Sequence, residues 1–336
     1  KTRPAKFENL AGDMALQMRS SSLPLVRPAY QEGLIFVEFM YGEHPPVKLE
    51  TILESEGVTS AEFLSKNELP VVFGTIDIDK PLVVDLAKLP HLLIAGSTGS
   101  GKSIFLHSII KSLLTNADEI NLKLVLVDPK FVEFSSYNDS KFLMYPVIND
   151  VDLSIEMLDQ LIDEVERRLR VFKKYGCRDA EEYRKKVKKI PYIVLIIDEL
   201  ADLIKADKKI IEHKLCLLIQ KCRAAGIFVI AATQHPSSKV ITGDIKANFP
   251  AKVAFKVSTH THSRVILDRN GAERLLGRGD GLFLDDSGVM KRFKGAIGTM
   301  TKSEKVFIKK KKPVAPARTR ETGSLLANII KAVNST

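Results

Sequence analysis

From His91 onward, short apolar runs alternate with longer segments in which apolar residues recur every three or four positions. Uninterrupted apolar runs of this length are typical of strands buried on both faces of a parallel sheet. The longer segments are typical of amphipathic helices that cover such a sheet. The predicted strands span residues 92–95, 122–127, 192–197, 227–232 and 252–257. Two helices are clearest. One follows the first strand, and the other spans about residues 154–175. We therefore predict an α/β fold with a mainly parallel sheet.

The first 84 residues have a less regular pattern. Helical spacing over residues 5–20 is followed by strand-like runs at 34–39 and 70–73 and by a short helical piece near 49–56. This pattern predicts a small α/β domain over residues 1–84, in front of a larger domain over residues 85–300. Residues 301–336 lack periodicity and predict a basic tail or linker.

The net charge of the chain is a weaker indication of a polyanionic partner than its total suggests. The chain carries a net charge of +10, but residues 301–336 contain nine Lys or Arg and two Glu, which is +7. The first 300 residues therefore carry only +3, and they are nearly balanced. A polyanionic partner would have to be bound by particular loops rather than by a basic body. The run at residues 309–312 is either a solvated charge run or a nonspecific DNA contact.

Membrane and disulfide classes are disfavoured for the visible chain. The longest apolar stretches, such as residues 193–197, are too short to cross a bilayer. The three cysteines (Cys177, Cys216 and Cys222) fit no disulfide framework and no metal-ligand spacing, so free thiols in a reducing compartment are expected. The chain begins with Lys1, which is typical of an excised or processed piece. We expect a cytoplasmic location, with any membrane anchor outside this chain.

Eight residues between the first strand and its helix form a phosphate-binding loop. In order, they are Gly96, Ser97, Thr98, Gly99, Ser100, Gly101, Lys102 and Ser103. Glycines allow the backbone N–H groups to turn toward phosphate oxygens, and the start of the helix adds a positive field. Lys102 is expected to contact the β- and γ-phosphates of ATP, and Ser103 to bind Mg²⁺. A chance glycine loop is disfavoured because strand, loop and helix occur in register.

Two further strand ends carry candidate catalytic residues. Asp198 ends the strand at 192–197, where a carboxylate can hold Mg²⁺, and Glu199 follows as a candidate general base for the attacking water. The alternative for this pair is a helix N-cap. Gln234 follows the strand at 227–232 and is a candidate sensor of the γ-phosphate. Its alternative is a purely structural hydrogen bond.

The order of these motifs disfavours some classes of P-loop protein. One apolar run, residues 122–127, separates the P-loop from the Asp198 strand, as in motors that have an extra strand between the two Walker strands and a catalytic Glu. A GTPase would also need an Asn-Lys-x-Asp motif, which the sequence lacks. A small-molecule kinase is likewise disfavoured.

A series of further motifs resembles the motor domain of the FtsK/SpoIIIE family of double-stranded DNA translocases. Besides the P-loop, the matching segments are residues 85–96, 127–130, 191–194, 198–202, 221–227, 232–234, 240–243, 245–248 and 263–268. The resemblance covers about residues 5–300. It implies a RecA-like P-loop core preceded by a small domain, and a hexameric ring of identical subunits around duplex DNA.

The resemblance also implies roles for individual residues. Arg223 matches a position expected to complete the nucleotide site of the neighbouring subunit; the alternative is an ordinary surface arginine. Lys246 and Arg264 match positions that look like DNA-backbone contacts, with a solvated basic side chain as the alternative. Two candidate contacts depart from the family pattern: His235 stands where Arg is usual and His260 where Lys is common. Imidazoles there would weaken phosphate binding or make it depend on pH.

The sequence therefore predicts an ATP-driven, sequence-nonspecific duplex DNA translocase, active in chromosome segregation or DNA transfer. The main alternative is a related ring ATPase that moves protein in a secretion system. A non-catalytic nucleotide-binding scaffold is a third class, disfavoured because every expected catalytic residue type is present.

Overall fold

Helices and strands alternate along the described part of the chain, which a computed structural model gives as residues 4–20, 24–29, 33–38, 46–55, 58, 63, 66–77, 80–89 and 91–298. Its strands are β1 (Leu25–Ala29), β2 (Leu34–Glu38), β3 (Val47–Lys48), β4 (Pro70–Asp77), β5 (Lys80–Asp85), β6 (Leu92–Ala95), β7 (Leu122–Val127), β8 (Tyr192–Ile197), β9 (Ile227–Thr233), β10 (Ala251–Phe255), β11 (Asp280–Leu284) and β12 (Met290–Ile297). Its helices are α1 (Pro4–Asn9), α2 (Ala11–Gln17), α3 (Leu49–Leu53), α4 (Lys102–Asn116), α5 (Val151–Lys174), α6 (Ala180–Lys186), α7 (Leu200–Ala206), α8 (Lys208–Cys222), α9 (Gly243–Asn248) and α10 (His260–Leu267). Within these ranges no helix is long and apolar enough to cross a bilayer.

The large sheet has the strand order β5-β4-β12-β11-β10-β6-β9-β8-β7. The five strands from β10 to β7 are parallel to one another. These are the five strands predicted from the apolar runs, and their bounds differ from the prediction by at most two residues. The strands from β10 to β5 are antiparallel neighbours that extend the sheet. The fold is therefore the predicted α/β architecture with a parallel centre.

The parallel strands are apolar throughout because both of their faces are covered. Alternate residues of β7 show this: Leu124 and Leu126 pack on one face, in a core with Phe105 of α4. Val125 and Val127 pack on the other face, in a core with α5, α7 and α8. Burying apolar area on both sides removes the alternation of polar and apolar residues that a half-exposed strand would show.

The first 84 residues only partly form a separate unit. β1 and β2 pair only with each other in the described part of the chain, as a two-stranded antiparallel sheet. In contrast, β4 and β5 belong to the large sheet, because β4 pairs with β12 at Thr75 and Gly74. The sheet therefore crosses the proposed boundary at residue 84, which remains a proposal. The predicted helix over residues 5–20 is two helices, α1 and α2. The predicted tail at 301–336 lies outside the described residues.

Candidate active site

The phosphate-binding loop lies between the carboxyl end of β6 and the first turn of α4. Gly96 N donates to Thr233 O at 3.2 Å, and Ser97 N donates to Lys256 O at 2.9 Å, which anchors the loop to the ends of two neighbouring strands. Gly99 and Gly101 have φ angles of 75° and 111°, a region that favours glycine. A Cβ added at Gly101 would lie 2.6 Å from the backbone nitrogen of Gly279. The loop conformation therefore depends on these two glycines.

A cleft of about 320 Å³ opens in front of this loop. Six loop residues line it: Ser97, Thr98, Gly99, Gly101, Lys102 and Ser103. Other elements contribute Glu133, Gln234 and Arg278 to its walls. The other two predicted loop residues are Gly96 and Ser100. Ser100 is 2 % exposed, and its hydroxyl has no hydrogen-bond partner within the described part of the chain. The size of the cleft and its place at the first turn of α4 suit a nucleotide phosphate chain.

Lys102 lines the cleft, and its ammonium contacts the residue that follows β8. Its ammonium donates to Asp198 Oδ1 at 2.7 Å and to the Asp198 carbonyl at 2.8 Å. Both residues are 3 % exposed. Burial raises the pKa of the Asp198 carboxyl, and the Lys102 ammonium opposes that rise. The structure thus brings together two of the predicted catalytic residues as a buried ion pair.

Glu199 is both a helix cap and a buried carboxylate beside the cleft. Its Oε1 accepts from Thr233 Oγ1 at 2.6 Å and from Ala201 N at 3.2 Å, the latter capping α7. Its Oε2 accepts from Gln234 N at 2.9 Å. A carboxylate offers about four acceptor positions, so three donors leave one for a water molecule. The N-cap alternative is therefore correct, and it is compatible with a role as general base.

Gln234 connects this carboxylate to the phosphate-binding loop. The strand that carries it, β9, lies between β6 and β8 in the sheet. Gln234 Oε1 accepts from Thr98 Oγ1 at 2.9 Å, while its backbone N–H is bound to Glu199. The strand between the P-loop and Asp198 in sequence is β7, but it lies at the edge of the sheet. The strand that separates them in space is β9, which carries the predicted γ-phosphate sensor.

The protein ligands at this site suit Mg²⁺ only if a bound nucleotide supplies further ligands. Among the described residues no group of three or more His, Cys, Asp and Glu side chains is arranged to hold a metal ion. Ser103 lies on the cleft wall and Asp198 lies behind Lys102. Mg²⁺ commonly takes one or two protein ligands and completes its shell with phosphate oxygens and water. One hydroxyl and one carboxylate suit that coordination.

Arg223 lies far from the nucleotide cleft of its own chain. It follows α8 and precedes β9, so it is at the amino end of the strand whose carboxyl end contacts the P-loop. The seven residues of β9 separate those two ends by roughly 20 Å. The Arg223 guanidinium donates to Lys88 O at 2.9 Å and remains exposed. It is therefore not part of the nucleotide cleft that its own chain forms.

The candidate DNA contacts lie on α9, on α10 and on the segment after β9. Lys246 and Arg264 are close, since the Lys246 ammonium lies 3.5 Å from Arg264 O. However, the same ammonium forms an ion pair with Asp268 Oδ1 at 2.6 Å. Arg264 is exposed, with its Nε donating to Asn270 Oδ1 at 2.9 Å. His235 and His260 are also exposed, in the loop after β9 and in the first turn of α10. Sequence alone did not indicate that Lys246 is paired.

Two features of the site were missed from the sequence. One is the turn at Gly277, Arg278 and Gly279, whose φ angles are 86°, 50° and 90°. It holds the P-loop in place, since Gly279 N donates to Ser100 O at 2.7 Å, and it brings Arg278 into the cleft. A glycine on each side of one residue was the available signal. The other feature is the Thr233 hydroxyl, which is bound to Glu199.

Residues 56–238 match the model of the FtsK/SpoIIIE family, which is more than half of the chain. The chain belongs to the FtsK/SpoIIIE family. This matched segment contains the P-loop, Asp198, Glu199, Arg223 and Gln234, whereas the α9 and α10 residues lie beyond it.

Relatives extend the similarity over most of this chain. The chain is 40% identical over 290 residues to the DNA translocase FtsK of Treponema pallidum, covering 84% of this chain and 36% of that protein. It is 40% identical over 297 residues to the DNA translocase SftA of Bacillus subtilis, covering 86% of this chain and 31% of that protein. The chain therefore spans about a third of the length of these curated relatives.

Solved structures confirm the P-loop ATPase fold. The pCW3 conjugation coupling protein TcpA, in a monomer form with ATPgS, aligns with a TM-score of 0.66 and 26% identity, covering 88% of this chain and 82% of that one. The cytoplasmic domain of the type VII secretion ATPase EccC of Thermomonospora curvata aligns with a TM-score of 0.65 and 21% identity, covering 76% of this chain and 32% of that one. At 21% identity, the similarity to EccC shows a shared fold and nothing more.

Proposed function

We propose that this family member is the motor part of an ATP-driven translocase that moves along duplex DNA without regard to sequence. The observation that carries the proposal is the convergence of three contacts at one edge of the sheet. Lys102 binds Asp198 at 2.7 Å, Glu199 binds Thr233 at 2.6 Å, and Gln234 binds Thr98 at 2.9 Å. Relatives at 40% identity are named DNA translocases, which favours DNA over a protein as the substrate that is moved.

ATP hydrolysis follows from how these residues can rearrange. Phosphates in the cleft compete with Asp198 for the Lys102 ammonium, which then neutralises the β- and γ-phosphates. Ser103 and the released Asp198 carboxylate would hold Mg²⁺, which would supply charge neutralisation at the phosphates. The remaining acceptor position of Glu199 binds a water and takes its proton as the water attacks.

Coupling between the nucleotide and the track runs through β9 and the segment after it. The Gln234 side chain lies on the cleft wall and its N–H is held by Glu199, so loss of the γ-phosphate changes contacts at the end of β9. The following segment leads directly to α9, which carries Lys246. Contacts of Lys246, Arg264, His235 and His260 with phosphates would be electrostatic and independent of sequence, as processive movement requires.

The other properties that the family resemblance implies concern the assembly of several subunits. Subunits would form a hexameric ring around DNA, with each nucleotide at a subunit boundary and Arg223 reaching the cleft of the next subunit. Its distance from its own cleft supports a role in trans. We place this motor in the cytoplasm, in chromosome segregation, cell division or DNA transfer, with any membrane anchor outside residues 1–336.

Displacement of a third strand from a duplex–triplex substrate tests the proposal, because only a protein that moves along the duplex removes that strand with ATP. The wild-type chain should displace it. Lys102→Ala should abolish both displacement and hydrolysis, while Glu199→Gln should retain bound ATP. Hydrolysis without displacement would redirect the function to a protein-moving ATPase. Full hydrolysis by both variants would refute the assigned catalytic roles.

A further inference from the structure

A second cavity, of about 300 Å³, lies at the opposite end of the sheet from the nucleotide cleft. Lys123 and Ile193, the second residues of β7 and β8, line it, so it opens at the amino ends of these strands. The C-terminal half of α5 forms one wall, and residues 188–191 close the other side. None of the proposed hydrolytic residues lines it. Its volume suits a molecule of about the size of a nucleoside or a small aromatic acid.

The lining of this cavity is strongly basic. Six basic side chains and one acidic side chain contribute to it among the described residues: Lys123, Arg167, Arg168, Lys174, Lys188, Lys189 and Glu164. The single carboxylate is already neutralised, because Glu164 accepts from Arg168 Nε at 2.7 Å and from Arg167 Nε at 2.7 Å. In the described part of the chain, no ion pair includes Lys174, Lys188 or Lys189. The cavity therefore presents uncompensated positive charge at its rim.

The floor of the cavity is apolar. Leu161, Val171, Phe172 and Ile193 supply apolar surface, and the Tyr183 ring packs beside Phe172 with 4.9 Å between the ring centroids. An apolar floor and a basic rim together select for an apolar body that bears an acidic group.

We propose that this cavity binds a small aromatic anion, with its ring on the apolar floor and its acidic group at Lys188 and Lys189. The charge of the rim disfavours the chain's own residues 301–336 as occupant, because that segment carries a net +7. The cavity floor also reaches the segment before β9. Arg168 donates to Ala225 O at 3.0 Å, and Ala225 lies two residues after Arg223. An occupant therefore borders the segment that carries the proposed trans-acting arginine.

The experiment compares two fluorescent probes of nearly the same aromatic body, with saturating Mg·ATPγS present to occupy the nucleotide cleft. 8-Anilinonaphthalene-1-sulfonate carries a negative charge, and N-phenyl-1-naphthylamine does not. Lys188→Glu/Lys189→Glu should weaken binding of the sulfonate by roughly tenfold or more, since each reversal replaces an attraction by a repulsion. It should leave binding of the neutral probe within about twofold. Retained binding of the neutral probe also shows that the variant is folded.

Two matched variants complete the test. Lys208→Glu/Lys209→Glu reverses another exposed lysine pair outside the cavity and should leave the sulfonate affinity unchanged. Val171→Trp fills the cavity and should remove both probes, with circular dichroism and the melting temperature checking the fold. Equal weakening by the two lysine-pair variants, full binding in a folded Val171→Trp variant, or no saturable binding of the sulfonate to the wild type would each overturn the proposal.

Discussion

The hydrogen bond between Thr233 and Glu199 offers a sharp test of how the catalytic carboxylate is held. Thr233→Val keeps the shape of the side chain but removes a hydroxyl that donates to Glu199 Oε1 at 2.6 Å and accepts from His235 N at 3.0 Å. Thr233 is 0 % exposed and Glu199 is 1 % exposed, so the valine methyl group would face Glu199 Oε1 inside the protein. A buried hydrogen bond to a charged group contributes about 1.5–3 kcal/mol. We expect the free energy of unfolding to fall by about 2–3 kcal/mol.

Catalysis should fall as well, because the carboxylate loses one of its three positioning donors. A misplaced general base costs roughly tenfold to a hundredfold in kcat. Urea unfolding measures the first effect and steady-state ATP hydrolysis the second. Thr233→Ser is the matched control, since it keeps the hydroxyl and should keep most of the activity.

A double-mutant cycle with Glu199→Gln separates a positioning role from a general loss of stability. If Thr233 acts through Glu199, the valine substitution should lower kcat little further in the Glu199→Gln background. Additive losses in the two backgrounds would refute that coupling. So would a Thr233→Val variant whose unfolding free energy stays within about 0.5 kcal/mol of wild type.

Three other experiments test separate parts of the account. Arg223→Ala and Lys102→Ala should each be inactive alone. If the arginine acts in trans, a one-to-one mixture should show hydrolysis at about a quarter of its nucleotide sites, those with Lys102 on one subunit and Arg223 on its neighbour. An inactive mixture of co-assembled subunits would contradict this. Asp268→Asn releases Lys246 from its ion pair and should tighten DNA binding and steepen its salt dependence by about one phosphate contact, measured by fluorescence anisotropy; unchanged affinity would exclude Lys246 from the interface. Burial lowers the pKa of His91 to about 4, so only the unfolded chain binds that proton between pH 6.5 and 4, and stability falls as the pH falls through this window. His91→Asn keeps an acceptor for Val229 N. In urea titrations, the loss of unfolding free energy between about pH 7 and pH 5 should be smaller in this variant than in the wild type by about 2 kcal/mol. An unchanged dependence of the unfolding free energy on pH would refute this.

The central strands could be predicted from the sequence because burial on both faces makes each one continuously apolar. The predicted and observed bounds of β6, β7 and β8 coincide. The antiparallel half could not be predicted in the same way. β12 includes Lys291, Arg292 and Lys294, and most of its residues are only half-buried. Short-range pattern therefore did not distinguish it from a loop, and its pairing with β4 depends on contacts far apart in sequence.

In the candidate site, too, features that are local in sequence could be predicted and features that depend on tertiary packing could not. The P-loop glycines and the strand-end carboxylates are local patterns whose chemistry follows from residue type and spacing. The ion pair of Lys246 with Asp268, and the turn of Arg278 against the P-loop, arise from tertiary packing. A basic residue at a family position therefore does not by itself indicate a free charge. The sequence indicated the P-loop residues and the strand-end carboxylates, but not Arg278 in the cleft or the ion pair of Lys246.

The central claim, that DNA is the track of this motor, is tested most directly by steady-state ATP hydrolysis with and without long linear duplex DNA at moderate salt. We expect a large stimulation by DNA in the wild type, lost in Lys246→Ala/Arg264→Ala and retained in the matched control Lys208→Ala/Lys209→Ala. A basal rate that DNA leaves unchanged, or a stimulation that survives in Lys246→Ala/Arg264→Ala, would contradict the account.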